Sequence, residues 1–126
     1  MQKHRWIIIL MVSLAMCIVA TGCSIRQRVK MAERAPSELV GLAKTDLLSC
    51  AGVPVRSEKI DDFEFLTYTS GNTREFFCRS GRYCEVTFTL KNNIVEKVTY
   101  AGNTGGPFSQ GEQCAYVIAP CLKDKN

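Results

Sequence analysis

The sequence predicts a small α+β domain, and three observations carry the prediction. Apolar residues recur at helical spacing late in residues 40–51, where Leu47, Cys50 and Ala51 stand at i, i+3 and i+4. From Arg56 onward the period drops to two, most clearly where Cys84, Val86, Phe88 and Leu90 alternate with Glu85, Thr87 and Thr89. Five of the seven cysteines lie at or beyond residue 50, which suits a thin core tied together by disulfides.

The chain opens with a basic stretch, Met1-Gln2-Lys3-His4-Arg5, followed by seventeen uncharged residues at 6–22 that end in the small residues Ala20-Thr21-Gly22. These are the parts of a secretory signal. The run Val19-Ala20-Thr21-Gly22-Cys23 resembles a bacterial lipoprotein signal. The resemblance implies cleavage after Gly22, diacylglycerol on Cys23 and an acylated new N-terminus. The residue after the cysteine is Ser24, not the Asp of an inner-membrane retention signal, so the expected location is the periplasmic face of the outer membrane. The competing reading is an uncleaved membrane helix, for which seventeen residues are at the short limit and flanking basic residues set no clear orientation.

Removing residues 1–22 changes the chemistry available. The leader carries Lys3 and Arg5, so 14 of the 16 basic residues remain against 12 acidic ones. That balance is too weak to argue for nucleic acid. The leader also carries His4 and Trp6, the single His and the single Trp. A chain without histidine has no Ser-His or Cys-His nucleophile pair and no His metal site. The expectation is a non-enzyme with no cofactor and no evident small-molecule substrate.

Residues 23–36 read as the lipidated Cys23 followed by a basic tether, flexible or frayed helical, or else drawn to anionic headgroups, with Arg26, Arg28, Lys30 and Arg34 against Glu33. Pro36-Ser37-Glu38 reads as a helix start, opening a single domain at 37–122. A second helix follows, with Asp46 favourable in its first turn. Gly52 is placed to take a positive φ at its end, and Pro54 prevents continuation. Ile60, Asp61-Asp62 and residues 63–69 read as strand, tight turn, strand. Leu66 and Tyr68 fall on one face of the second strand and Phe63, Phe65 and Thr67 on the other. Residues 84–90 and 94–100 form a hairpin around Asn92-Asn93. A three-residue turn or a bulge sets Phe88 opposite Val98 and Val86 opposite Tyr100, where a plain two-residue turn sets Phe88 against Lys97. Residues 101–113 read as a Gly/Asn/Ser loop, 114–122 as one or two helical turns bracketed by cysteines, and 123–126 as a polar tail.

The order Gly41-Leu42, Leu47, Ala51-Gly52-x-Pro54, an aromatic strand ending at Tyr68 and a Phe/Leu-alternating hairpin is similar to the SmpA/BamE-like family of small outer-membrane lipoproteins, over residues 38–100. The resemblance implies two short helices packed on a three-stranded antiparallel meander. It also suggests a scaffold or accessory role in envelope or outer-membrane protein assembly. Ala43 stands where the family usually has a Ser or Thr helix cap, and Leu66 where a Trp is common. The cysteines and residues 114–122 lie outside the family pattern. A related fold in protein inhibitors of β-lactamase raises the alternative of a periplasmic binder or inhibitor.

Cys50, Cys78, Cys84, Cys114 and Cys121 remain once Cys17 is removed with the leader and Cys23 is assigned to lipid. No C-x2-C pair exists, so zinc is disfavoured and disulfides are expected. An odd count leaves one thiol free, which admits a thiol redox protein as a further alternative. If residues 114–121 are helical, Cys114 and Cys121 are about 10 Å apart by helical rise, beyond the roughly 7 Å a disulfide tolerates. Cys50 and Cys84 are then each expected to join the C-terminal segment, leaving Cys78. The alternative opposes Cys78 to Cys84 across Ser80-Gly81-Arg82. The expected contact with another envelope protein is the segment containing Phe76, Phe77, Arg79, Arg82 and Tyr83, because aromatics with arginine dominate protein interfaces.

Overall fold

The computed structural model describes residues 2–71 and 81–122, with the backbone alone for 17–23. The element order is α1 (Gln2–Glu38), α2 (Lys44–Ala51), β1 (Arg56–Ile60), β2 (Phe63–Thr69), β3 (Glu85–Lys91), β4 (Ile94–Ala101) and α3 (Glu112–Ile118), with a 3-10 turn at Ala119–Cys121. The class is α+β. The strands form one antiparallel meander in the order β1-β2-β3-β4.

The sheet has four described strands, where the family resemblance implies three. Arg56–Ile60 has no apolar alternation and is exposed throughout. It joins the sheet because Asp61, at φ 53°, closes a two-residue turn that sets Ile60 opposite Phe63. The β3–β4 hairpin resolves the choice between turn and bulge. Its loop is the two residues Asn92 and Asn93, both at positive φ, and the register shifts after Thr89 so that Phe88 meets Val98 and Val86 meets Tyr100. The extra residue turns Val95 and Val98 to the same face, although an odd spacing in an unbroken strand puts them on opposite faces.

Residues 24–38 depart most from expectation. They are the second half of α1, not a tether, and Pro36-Ser37-Glu38 ends a helix instead of starting one. Ala32, Ala35 and Leu39 lie in the core. Pro36 lacks the N–H that would bond the Ala32 carbonyl, an omission that normally breaks a helix interior. The Tyr100 hydroxyl donates to that carbonyl instead, at 2.9 Å. The small Ala32 lets α1 approach Gly111 closely: a Cβ there would lie 3.2 Å from the Ala32 Cβ, and Gly111 is also at φ +85°. The apolar stretch from Trp6 to Met16 continues the same helix and is exposed. No helix among the described residues is long and apolar enough to cross a membrane.

The helices cover one face of the sheet. Leu66, Tyr68, Val86, Phe88, Leu90, Val95 and Val98 meet Leu47 of α2, Ile118 of α3 and the small side chains of α1. Tyr68 and Phe88 pack edge to face, with ring centroids 5.6 Å apart. α2 starts at Ala43 without a side-chain cap and is seated by Lys44, whose ammonium donates to both Glu64 carboxylate oxygens at 2.8 Å. It ends at Gly52, at φ +79°. Ahead of it, residues 41–44 bond the start of β4 through Gly41 N to Val95 O, Val95 N to Leu42 O and Lys44 N to Asn93 O. That edge is thereby half covered, whereas β1 is an exposed edge.

Candidate interaction surface

Of the residues expected to contact a partner, Phe76, Phe77 and Arg79 lie outside the described residues, as does Cys78. Arg82 and Tyr83 are described, and both are exposed at the entry to β3. They pack on the loop that follows β4. Tyr83 N donates to Asn103 O at 2.9 Å, and the Tyr83 ring covers Gly102 so closely that a Cβ there would lie 2.6 Å from it. The Arg82 guanidinium lies over Gly106. The loop is organised from within: Thr104 Oγ1 accepts from Gly111 N, Thr104 O accepts from Gln113 N, and Ser109 Oγ accepts from Gly106 N. At its tip Phe108 is 99% exposed. The sequence marks residues 101–113 only as a Gly/Asn/Ser loop and assigns Phe108 no role. The available signal was Pro107-Phe108 set among glycines, where nothing nearby in the chain can cover an aromatic ring.

The C-terminal segment is fixed at both cysteines. Cys50 joins Cys121 and Cys84 joins Cys114, each with Cα atoms 5.0 Å apart. Cys84 is therefore not available to Cys78, and the two C-terminal cysteines each find a partner elsewhere, as their helical separation requires. Cys84 and Cys114 are fully buried and Cys50 is half-buried. Glu112, at the start of α3, accepts from Arg28 of α1 at 2.9 Å. Arg28 also donates to the Tyr116 hydroxyl and lies over its ring, 5.2 Å from the centroid. α1, α3 and the sheet are thus joined by an ion pair, by the Tyr100 hydrogen bond and by a disulfide. Burial pushes the Tyr100 phenol up to about 12 and raises that of Tyr68, whose hydroxyl donates to Gly52 O at 3.1 Å.

These contacts give the domain two ends. Tyr100 is level with Ala32, while Val95 bonds Gly41, so α1 runs antiparallel to β4 and enters from the end where β4 finishes. Arg82, Tyr83 and the Phe108 loop lie at this entry end, together with Val53 and Val55 ahead of β1. Val53, Val55, Tyr68, Tyr116 and Pro120 line a shallow groove beside Cys50 there. The turns Asp61-Asp62 and Asn92-Asn93 mark the far end. Cys23 lies in the backbone of α1, upstream of the entry end. No group of three or more His, Cys, Asp or Glu able to hold a metal is present among the described residues. No family model, no curated protein and no solved structure matches this chain.

Proposed function

We propose that the chain is a lipid-anchored protein of the outer membrane, held on the periplasmic face through Cys23, and a non-enzymatic scaffold or accessory subunit that binds another envelope protein in outer-membrane protein assembly. The observation that carries this reading is the conjunction of Ala20-Thr21-Gly22-Cys23 at the end of an apolar stretch with a domain closed by two disulfides. Such bridges persist in oxidising compartments outside the cytosol. Two or more acyl chains give stable anchoring where one is marginal. The order of elements, with a helix ending in Gly-x-Pro before an antiparallel meander, supports the likeness to SmpA/BamE-like lipoproteins. Arg82 and Tyr83 are the described part of the proposed contact surface.

The test is Cys23→Ser in cells. The wild type is expected to be cleaved, acylated by intact mass and recovered with outer membranes, and the variant to stay unprocessed or soluble. A variant that still fractionates as a cleaved membrane protein of otherwise unchanged mass refutes the anchor. Photocrosslinking from position 82, with mass spectrometry of the adduct, identifies the partner.

A further inference from the structure

The strongest feature without a role in the fold is Phe108. A fully exposed phenylalanine leaves a large apolar area in water, yet its loop is held by three internal hydrogen bonds, to Thr104 Oγ1, Thr104 O and Ser109 Oγ. The ring is therefore presented by an ordered support. Its position relative to Cys23 follows from α1. From Cys23 to Ala32 is nine helical residues, a rise of about 14 Å, and Gly111 packs directly on Ala32. Phe108 stands three positions before Gly111, a reach of at most about 10 Å. A polar interface on the order of 5–8 Å thick flanks each side of the hydrocarbon. No flexible tether holds the body away from the membrane, because residues 24–38 are helix.

We infer that the Phe108 loop is a bilayer contact, its ring entering the lipid interface beside the acylated cysteine. This rests on the lipid-anchor reading above. Aromatic rings favour the interface between headgroups and hydrocarbon, and each cation near an anionic surface adds to the attraction. Arg26 and Lys30, both exposed, supply positive charge between the anchor and the body. At the far end the exposed Asp61 and Asp62 are balanced by Lys59 and Lys91, so no comparable excess of positive charge is found there. The Phe108 loop is then turned toward the membrane, with the β1 edge and the open sheet face left accessible.

The chain contains one tryptophan, Trp6, in the leader, so a single reporter can be placed cleanly. The full-length gene carrying Trp6→Phe and Phe108→Trp is expressed, and the processed protein is purified in detergent. It is then reconstituted into phosphatidylethanolamine/phosphatidylglycerol vesicles with and without brominated acyl chains. The expected result is emission shifted to the blue and mostly quenched by brominated lipid. Ile60→Trp, beside the far turn, is expected to stay unshifted and unquenched. Vesicle flotation and intact mass report the anchor separately. Protein that floats and is acylated, with an unquenched Trp at position 108, overturns the inference and leaves the anchor standing. The same result with shielding only in native outer membranes assigns the loop to a protein partner and equally overturns it. Protein that neither floats nor carries lipid refutes the anchor, and the inference with it.

Discussion

The two faces of the sheet are made by the same four strands and are held by different physics. On the covered face, Val86, Phe88 and Leu90 are essentially inaccessible and meet three helices. On the open face, Thr67, Thr87 and Thr99 run across the strands, with Phe63 and Phe65 only half-buried. Burial of apolar area stabilises the first by roughly 1.5–3 kcal/mol per large side chain. The second relies on cross-strand pairs, each contributing about 0.2–1 kcal/mol. The fold is therefore concentrated on one side, which leaves the other free to change without unfolding the domain.

The largest expected effect tests that asymmetry directly. Phe88→Ala should lower the unfolding free energy by about 3–5 kcal/mol, as full truncation of a core aromatic does. Phe65→Ala on the open face should cost about 1 kcal/mol or less. Urea unfolding of both variants makes the comparison. Equal losses would mean that the open face is covered in solution.

The bridges come next. The 71-residue separation of Cys50 and Cys121 encloses the 30-residue separation of Cys84 and Cys114. With the inner bridge closed, the outer one restricts much less free chain than its separation suggests. Replacing either pair by alanine should therefore cost a similar amount, about 2–4 kcal/mol. Their accessibility differs, since Cys84 and Cys114 are fully buried and Cys50 is half-buried. Graded reduction with alkylation and peptide mapping should open Cys50–Cys121 first. Simultaneous opening would mean that the inner bridge is reached only through global unfolding triggered by the outer.

A smaller effect isolates the seat of α1 on the covered face. Tyr100→Phe removes the donor to the Ala32 carbonyl and should cost about 1–2 kcal/mol, the penalty of an unpaired buried acceptor. Pro36→Ala restores the helical N–H to that carbonyl, so in its background Tyr100→Phe should cost less, with a coupling of about 1 kcal/mol. The phenol also gives a pH signature. Below pH 10 it is protonated in both folded and unfolded chains. Between pH 10 and about 12 the unfolded chain ionises first, so stability falls across that window. Tyr100→Phe should flatten the decline, with Tyr68 supplying the remainder.

How legible these features are in the sequence depends on which force makes them. α2 and β3 carry large apolar side chains at fixed period, so Leu47, Cys50 and Phe88 announce their faces, while the register shift after Thr89 breaks that period in β4. α1 docks through Ala32 and Ala35, which carry little hydrophobic signal, and Pro36 resembles a helix start unless Tyr100 is known to be near. β1 is polar apart from Ile60 and is recruited by its turn, so apolar alternation alone does not give its extent. For the bridges, helical distance excludes only Cys114 to Cys121; the partner of each, and the exclusion of Cys78 from Cys84, come from the fold. Phe108 is marked only by its setting of Pro107 and glycines, because exposure is a property of what fails to pack against it.

The smallest effect is the most informative about the open face. Thr67 and Thr87 face each other across β2 and β3, with hydroxyl oxygens 3.1 Å apart, and Thr67 is 4% exposed although it lies on that face. Its burial comes from neighbouring strands, with Arg56 on one side and Thr87 on the other. Thr67→Val keeps the shape and the β-branched packing while removing one hydroxyl. The half-exposed Thr87 hydroxyl can then bond water, so no buried polar group is stranded. The net cost should stay within about 0.5 kcal/mol, and a cycle with Thr87→Val should give a coupling of about 0.2–1 kcal/mol. If the open face receives a protein partner, the same substitution should weaken complex formation measured by titration calorimetry while leaving the urea midpoint nearly unchanged. A loss of stability above about 2 kcal/mol would instead place the threonine row among the interactions that hold the fold, and the division between the two faces would fail.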